Sequence, residues 1–285
     1  MRYDIEGNWY LLDTCNYRCS YCFSSEATLA RKLRVSATVA EWRNAFDATG
    51  LTWLVHLSGG EPTIYPDFAG LCTELTKRNF ISFNSNLTHA SVPVFAERVD
   101  PRRVSFINAG FHPAERQRRQ GAAKFLKNLE ALKANGFPVF VSVVATPAAL
   151  ADMEGIAEIL RPAGVAPIPK VLRGMFQGQR YPEAYTAAER EKFRSCAKRA
   201  RESYADDLAM LSEPPSINMF ADDEILFGEP SFRGRSCLAG SRFVRIGAAG
   251  EVSRCNSRKR MGNLLDGTFR PSPGAAPCDT SYCFY

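Results

Sequence analysis

Three of the nine cysteines in this 285-residue chain lie in one short stretch, at Cys15, Cys19 and Cys22. Thiolates at this CxxxCxxC spacing can cover one face of a [4Fe–4S] cube, which normally takes four cysteine ligands. Because the local motif supplies three, one iron would stay open for a ligand from outside the protein. Zinc sites usually combine a close cysteine pair with a second pair elsewhere, so this spacing favours an iron–sulfur cluster.

A glycine-rich turn, Gly59-Gly60-Glu61-Pro62, follows the second predicted strand. Glycine allows close backbone approach and positive φ angles, and a carboxylate beside it can accept a hydrogen bond from an ammonium group. Gly-Gly turns after strands are common, so the significance of this one depends on the cysteines before it.

Four further cysteines lie in the last part of the chain. They are Cys237, Cys255, Cys278 and Cys283. A hairpin predicted from strands at 243–246 and 251–254 would bring the first two together at its open end, and the last two can return to the same point. Four ligands complete a tetrahedral zinc site or a whole [4Fe–4S] cluster. From the residues alone both metals remain open, with zinc the commoner choice.

Strands and helices alternate before this cysteine-rich region, which predicts the elements that position the motifs. Near-continuous apolar strands separated by helices indicate a parallel sheet that is covered on its outer face. The predicted strands are 8–12, 51–58, 80–84, 103–108, 138–145 and 166–172. The predicted helices include 65–78, 92–99, 121–135 and 148–160, and one capped by Ser36. Whether the sheet closes partly as a barrel or stays open, chemistry belongs at the carboxyl ends of its strands.

We predict an α/β fold, a partial (β/α)6 TIM-like barrel with a small C-terminal cysteine-rich β-hairpin extension. The core would span 1–185, a helix and linker 186–230, and the extension 231–285. Residues 174–185 are interpreted as a loop, and Thr186 with Glu189 as a capping box for a helix to about 211. A break is expected at 213–216.

The two N-terminal motifs together resemble the radical S-adenosylmethionine (radical SAM) superfamily, with Tyr21 as the aromatic residue before the third cysteine. The resemblance implies that the open iron chelates the amino and carboxylate groups of SAM. The reduced cluster then cleaves SAM to methionine and a 5′-deoxyadenosyl radical, which takes a hydrogen atom from the substrate. By the same resemblance, the GGEP turn binds the SAM amine.

Three further residues are implied in SAM binding. Ser85 and Asn86 match the Thr and Asn of a Thr-Asn-Gly sequence in many relatives, although Leu87 departs from its glycine. Asn108, at the end of the fourth strand, could reach the ribose or could instead be a turn-forming residue.

The C-terminal pattern of CxAG, hairpin, cysteine and Gly-Asn resembles the SPASM and twitch extensions of radical SAM enzymes. That resemblance implies that the four C-terminal cysteines hold a second, auxiliary [4Fe–4S] cluster, as in the shorter twitch form.

Three residues are candidates for catalysis or substrate binding. His112, just past the fourth strand, is either a proton-transfer group or structural. Arg173, at the end of the sixth strand, could bind a carboxylate or phosphate, including the SAM carboxylate. Cys196 could return a hydrogen atom to a substrate radical if it faced the substrate, and otherwise is a packed core cysteine. His56, inside an apolar strand, is expected in the core, and the basic run at 116–119 as an exposed turn.

The leading hypothesis is the oxidation of a small sugar-like or aminocyclitol-like molecule, whose radical loses a proton and passes an electron to the auxiliary cluster. Alternatives are epimerisation with a cysteine hydrogen donor, maturation of ribosomal peptides, and RNA modification. The first strand begins so near Met1 that an N-terminal peptide-recognition domain is not expected. A cysteine-rich nucleic-acid-binding module would leave the β/α repeats and the GGEP turn unexplained.

The expected partners are a small-molecule substrate, anionic or sugar-like, and an external electron donor such as flavodoxin or ferredoxin. The formal net charge of +6 fits an anionic substrate or a solvated surface. No stretch reaches the roughly 20 apolar residues of a membrane span, and Met1 is not followed by an apolar signal segment. We therefore expect a cytoplasmic protein.

Overall fold

The computed structural model of the chain describes residues 1–209, 219–228, 230–255, 257–281 and 283. Six parallel strands form the centre of the fold, paired in the order in which they occur along the chain. They are β1 (Ile5–Leu12), β2 (Trp53–Gly59), β3 (Phe80–Ser85), β4 (Val104–Gly110), β5 (Val139–Val144) and β6 (Pro167–Lys170).

Helices connect successive strands. They are α1 (Glu26–Leu29), α2 (Val39–Asp47), α3 (Phe68–Thr76), α4 (Ser91–Arg98), α5 (Pro113–Arg119), α6 (Ala122–Ala134), α7 (Pro147–Ala151), α8 (Met153–Leu160), α9 (Ala187–Ser203) and α10 (Ala205–Ala209). Short 3₁₀ turns lie at Pro62–Ile64, Pro101–Arg103, Arg161–Ala163 and Ala221–Glu224.

The remaining strands are β7 (Gly174–Phe176), β8 (Gln179–Tyr181), β9 (Ser236–Cys237), β10 (Phe243–Ile246), β11 (Glu251–Ser253), β12 (Arg260–Asn263) and β13 (Ala276–Pro277). Strand β10 pairs in parallel with β1, and β11 and β12 continue the sheet antiparallel. In the resulting nine-stranded sheet β6 and β12 form the two edges, so β6 does not pair with β1. The six-strand arc is therefore an open, partial TIM-like barrel, as predicted.

The two faces of the strands differ in chemistry. On the outer face of β1, Trp9 packs against α2, with ring centroids 4.4 Å from Trp42 and 5.5 Å from Phe46. On the inner face, His56 of β2 contacts Glu6 of β1 at 3.0 Å and Ser82 of β3 at 2.5 Å, and all three are buried. His56 thus lies in the core, as predicted, within a polar network that satisfies its ring nitrogens.

Several local predictions need correction. Helix α2 is capped by Thr38, which forms a capping box with Glu41, and not by Ser36. The helix predicted at 148–160 is divided at Asp152 into α7 and α8. The segment interpreted as a loop at 174–185 contains the antiparallel hairpin of β7 and β8.

The capping box of Thr186 with Glu189 is confirmed at the start of α9. The single helix predicted to run to about 211 is wrong, because α9 ends at Ser203 and Tyr204 separates it from α10. The break predicted at 213–216 lies outside the described residues. Within the described part of the chain, no helix has the length and apolar character needed to cross a bilayer.

Candidate active site

A cavity of about 380 Å³ opens at the carboxyl ends of the barrel strands. Its lining includes most of the residues that the motifs single out. The lining residues are Cys15, Tyr17, Cys19, Tyr21, Cys22, Phe23, Gly60, Glu61, Asn84, Ser85, Asn86, Asn108, Gly110, His112, Ser142, Val144, Lys170, Val171, Leu172 and Arg173. Gly59 and Pro62 lie next to this lining and are not part of it. The cavity falls within the range of small-molecule sites, about 300–1,000 Å³.

The glycines of the GGEP turn let the cysteine loop pass directly beside β2. The Gly60 N–H donates to Leu12 O at 2.7 Å, and the Glu61 N–H donates to Thr14 O at 2.9 Å. A Cβ at Gly60 would lie 2.1 Å from Thr14 O, and one at Gly59, whose φ is +131°, would lie 2.4 Å from Leu12 O. Glycine is therefore required at both positions, because any side chain would clash with the backbone of the cysteine loop. This close backbone pairing fixes Cys15 at the cavity wall.

Cys15 and Cys19 are placed as sulfur acceptors by residues two positions further on. The Tyr17 N–H donates to Cys15 Sγ at 3.3 Å, and the Tyr21 side chain hydrogen-bonds Cys19. Burial raises the pKa of Cys15 to about 11 and that of Cys19 to about 12. Such thiols ionise at neutral pH when a cation compensates their desolvation. Iron would supply that charge, and the hydrogen bonds stabilise the thiolates, so the three cysteines fit an iron–sulfur cluster.

Glu61 is buried and organises the end of β3. Its Oε1 accepts hydrogen bonds from Ser85 Oγ at 2.7 Å and from Thr63 Oγ1 at 2.5 Å, and its Oε2 accepts from the Asn86 N–H at 2.7 Å. Burial raises the pKa of this carboxyl, whereas these hydrogen bonds lower it. A carboxylate has about four acceptor positions, so Oε2 keeps capacity for a further donor, such as an ammonium group.

Arg116 is a residue of this site that the sequence interpretation missed. It lies on α5 and is 2% exposed, not on an exposed turn. Its guanidinium donates to Asn86 O at 2.9 Å, Gly110 O at 2.7 Å and Tyr17 Oη at 3.3 Å, and it stacks 3.9 Å from the ring centroid of Phe125. Arg116 thus connects the cysteine loop to the ends of β3 and β4.

His112 lies over Gly110 and forms a hydrogen bond between its Nδ1 and Tyr21 Oη at 2.7 Å. Burial, with a smaller contribution from the nearby Arg116 cation, lowers the pKa of His112 to about 3. The ring is therefore neutral and a weak base at neutral pH. It serves here as a hydrogen-bond partner of Tyr21.

We expect acidification to destabilise the protein partly through His112. Between pH 6.5 and 3 the unfolded chain binds a proton that the folded ring does not, so the free energy of unfolding falls as pH falls. Between pH 7 and pH 5, the free energy of unfolding of His112→Asn should fall by about 1 kcal/mol less than that of wild type. The difference is kept this small because the ring is partly open to the cavity. Anaerobic urea unfolding at the two pH values measures this, and equal losses in both proteins would contradict it.

The wall opposite the cysteines is polar. Asn108 Oδ1 is buried and has no hydrogen-bond partner within the described part of the chain. Lys170 donates to Met219 O at 3.0 Å and forms an ion pair with Asp222. Arg173 lines the same wall. A ligand in the cavity would therefore meet the Asn108 amide, the Lys170 side chain, whose charge Asp222 balances, and the Arg173 guanidinium.

Cys196 is not brought to this cavity. It is buried on α9, a helix that packs against β6 and α7, and its sulfur contacts the Arg199 guanidinium at 3.3 Å. It is not among the cavity-lining residues, because α9 covers the outside of the barrel. The epimerisation hypothesis thus loses the hydrogen donor named for it.

The C-terminal cysteines repeat the local geometry of the first set. Strands β9 and β13 pair antiparallel, which brings Cys237 beside the segment that leads into Cys278. The N–H groups of the second residue after Cys237 and after Cys255 donate to their sulfurs at 3.4 and 3.5 Å, and Cys278 Sγ lies 3.3 Å from Thr280 Oγ1. Cys283 is partly buried.

Among the described residues, no three His, Cys, Asp or Glu side chains converge as ligands of one metal ion. A [4Fe–4S] cube attaches each cysteine to a different iron, so its ligands are spaced more widely. The sulfur-directed donors of both sets fit cluster ligands, because hydrogen bonds to cluster sulfurs help set cluster properties.

Comparison with known proteins identifies the family. Residues 9–160 match the family model described as the radical SAM superfamily. The chain belongs to the radical SAM superfamily. The matched span contains the three N-terminal cysteines, the GGEP turn and strands β2 to β5, so the superfamily's SAM and [4Fe–4S] cofactors are expected at the cavity described above.

Individual relatives are distant from this radical SAM protein. A GTP 3′,8-cyclase of Pseudomonas fluorescens (strain Pf0-1) is 28% identical over 134 residues, which cover 44% of this chain and 40% of the cyclase. The chain therefore matches less than half the length of that relative.

Solved radical SAM structures share the fold. The structure of anSMEcpe with bound AdoMet has a TM-score of 0.61 and 14% identity, covering 93% of this chain and 78% of that one. Streptococcus suis SuiB bound to S-adenosylmethionine has a TM-score of 0.58 and 14% identity, covering 94% of this chain and 66% of SuiB.

Proposed function

We propose that this radical SAM enzyme removes hydrogen from a small polar molecule, sugar-like or aminocyclitol-like, and oxidises it. The observation that carries the substrate class is the cavity wall formed by Asn108, Lys170 and Arg173 opposite the cysteine loop. The Asn108 amide and the charged groups of Lys170 and Arg173 make this wall polar, and such groups favour a hydroxylated or anionic ligand.

The first site would hold the cluster on Cys15, Cys19 and Cys22. When bound, a [4Fe–4S] cluster with an open iron supplies the electron that cleaves SAM to methionine and the 5′-deoxyadenosyl radical. Glu61 Oε2 would accept from the SAM ammonium, and Ser85, Asn86 and Tyr21 would border the nucleotide. We propose that flavodoxin or ferredoxin supplies the electron and that the protein works in the cytoplasm.

The oxidation requires an electron acceptor. After one hydrogen atom has moved to the deoxyadenosyl carbon, forming the product C=O or C=N bond releases one proton and one electron. Solvent can take the proton. A cluster on Cys237, Cys255, Cys278 and Cys283 would supply the acceptor for the electron, which is why the second cysteine set favours dehydrogenation.

The test is anaerobic reconstitution of wild type and Cys237→Ala, with iron, zinc and 5′-deoxyadenosine measured. We expect about eight irons in wild type and about four in the variant. Both should cleave SAM, and wild type alone should yield dehydrogenated product from a panel of aminocyclitols, sugar phosphates and GTP. Cys72→Ala, a change at a buried α3 cysteine, is the matched control.

Two outcomes would overturn the proposal. Four irons with one zinc would remove the electron acceptor while SAM cleavage remains. Solvent deuterium on the product carbon would indicate hydrogen return, and therefore epimerisation.

Peptide modification is the second candidate, favoured by two exposed apolar side chains, one in the cavity lining and one close in sequence to a lining residue. Phe23 lines the cavity and is 76% exposed, and Met175 on β7, two residues after Arg173, is 69% exposed. Such side chains can pack against a peptide. Structures of SuiB bound to the precursor peptide SuiA and of anSMEcpe with bound peptides share the fold. Peptide-dependent 5′-deoxyadenosine formation, weakened by Phe23→Ser, would favour this candidate.

A further inference from the structure

We propose that Arg254 assembles the second cysteine site and is the charge partner of an anionic metal–thiolate centre held there. This inference rests on the proposed second site. Arg254 immediately precedes Cys255 and is only 8% exposed.

The guanidinium of Arg254 links its own segment to two others, at Ala239 and at β13. Its Nε donates to Ala239 O at 2.9 Å, its Nη1 to Pro277 O at 2.9 Å and its Nη2 to Ala276 O at 2.8 Å. Ala239 lies two residues after Cys237, and Pro277 directly precedes Cys278. One side chain attached next to Cys255 therefore holds the backbone beside two other cysteines.

The position of this side chain is itself tightly fixed. The Arg254 N–H donates to Lys259 O at 2.9 Å, which closes the loop that carries Cys255. A Cβ at Gly240 would lie 3.2 Å from Arg254 Cγ and 2.9 Å from Ser272 Oγ, so the glycine makes room for the arginine stem. Gly240 ends the CxAG sequence, and this contact gives that glycine a physical role.

The charge of Arg254 points to an anionic ligand. A guanidinium keeps its charge at all ordinary pH values, and its three acceptors are neutral carbonyls. Within the described ranges it has no carboxylate partner. A buried cation is costly unless an anion compensates it. Cysteine thiolates outnumber the positive charges of the [4Fe–4S] core or zinc ion that they bind, so such a centre would supply the missing anion.

Arg254→Met should lose most of the second-site metal and retain the four irons of the first site. Arg254→Lys keeps the charge but cannot reach three carbonyls, so it should lose at least half of the second-site metal. Arg270→Met is the matched control, because Arg270 is exposed and its guanidinium donates to the carbonyls of the nearby residues Gly267 and Phe269. The readouts are iron and zinc content, the midpoint potential of the second centre and anaerobic alkylation of its four cysteines.

The outcomes separate this inference from the proposed function. If wild type holds the second centre and both Arg254 variants hold it at the same occupancy and potential, the role of Arg254 is overturned and the cluster stands. If wild type holds zinc there, the proposed electron-acceptor role is contradicted. Loss of that zinc from Arg254→Met would still support the role of Arg254 in assembling the site. If wild type holds no second metal, both proposals fall. If Arg254→Met does not fold, full occupancy in Arg254→Lys overturns the positioning role.

Discussion

Replacing Cys15, Cys19 and Cys22 together by alanine should reduce 5′-deoxyadenosine formation from SAM and dithionite to background, a loss of at least a thousandfold. The three sulfurs lie in one loop at the wall of one cavity, and two of them receive hydrogen bonds from residues two positions further on. Other side chains of the lining cannot replace the three cysteines as ligands, since such clusters depend on thiolates. The variant should also lose about four irons per chain.

Two cysteines outside the site provide the matched controls for this experiment. Cys72 and Cys196 are both buried on helices, and neither lines the cavity. Alanine at either should leave iron content and deoxyadenosine formation within about twofold of wild type, because small changes in a packed core affect mainly stability. Retention of SAM cleavage by the triple variant would contradict the assignment of the site.

Glu61→Ala should abolish detectable SAM binding and lower the free energy of unfolding by about 3 kcal/mol or more. The substitution leaves the Asn86 N–H and the hydroxyls of Ser85 and Thr63 without their acceptor. Each buried donor left unsatisfied costs about 1–3 kcal/mol. The end of β3, which borders the cavity, would lose the group that orders it.

Glu61→Gln separates the charge of this side chain from its shape. The amide can still accept from Ser85 and Thr63, but its NH₂ group then faces the Asn86 N–H. We therefore expect a smaller stability loss, about 1–2 kcal/mol, with SAM affinity still at least tenfold lower. Anaerobic equilibrium dialysis with SAM and urea unfolding measure the two effects.

Glu74→Gln is the control for Glu61, because Glu74 lies outside the cavity lining. Its partly exposed carboxylate pairs with Lys77 and Arg43, and ion pairs near the surface contribute about 1 kcal/mol or less. If Glu61→Gln bound SAM with unchanged affinity, the proposed contact between Glu61 and the SAM ammonium group would be contradicted. The structural role of Glu61 would not be affected.

The parallel α/β core and the placement of the three N-terminal cysteines at the carboxyl ends of its strands could be predicted because the motifs and elements are read from local patterns. Apolar runs of strand length, the Thr186–Glu189 capping box and the CxxxCxxC spacing are all read within a few residues. The short hairpin of β7 and β8 could not be predicted in this way, since its Gly174, Gly178 and mixed polar residues are equally typical of a loop.

Burial of charged residues could not be predicted from the sequence either. Arg116 stands in a basic run that is typical of an exposed surface, yet carbonyls from two strand ends and an aromatic ring surround it. Glu6 and Ser82 satisfy His56 across three strands, a relation that appears only when register is known. The sequence of β1 does carry a signal of a polar barrel interior. Glu6, Asn8 and Tyr10 are alternate residues of this strand and therefore face the same side of the sheet.

The parallel pairing of β10 with β1 also bears on how the chain reaches its native state. Phe243 pairs beside Glu6, so this edge of β1 waits for a partner that lies more than 200 residues further along the chain. Contacts so distant in sequence form slowly, and an unpaired strand edge invites association between nascent chains. Removal of the segment from β10 onward would leave that edge open permanently, so a truncated barrel should aggregate where the whole chain stays monodisperse.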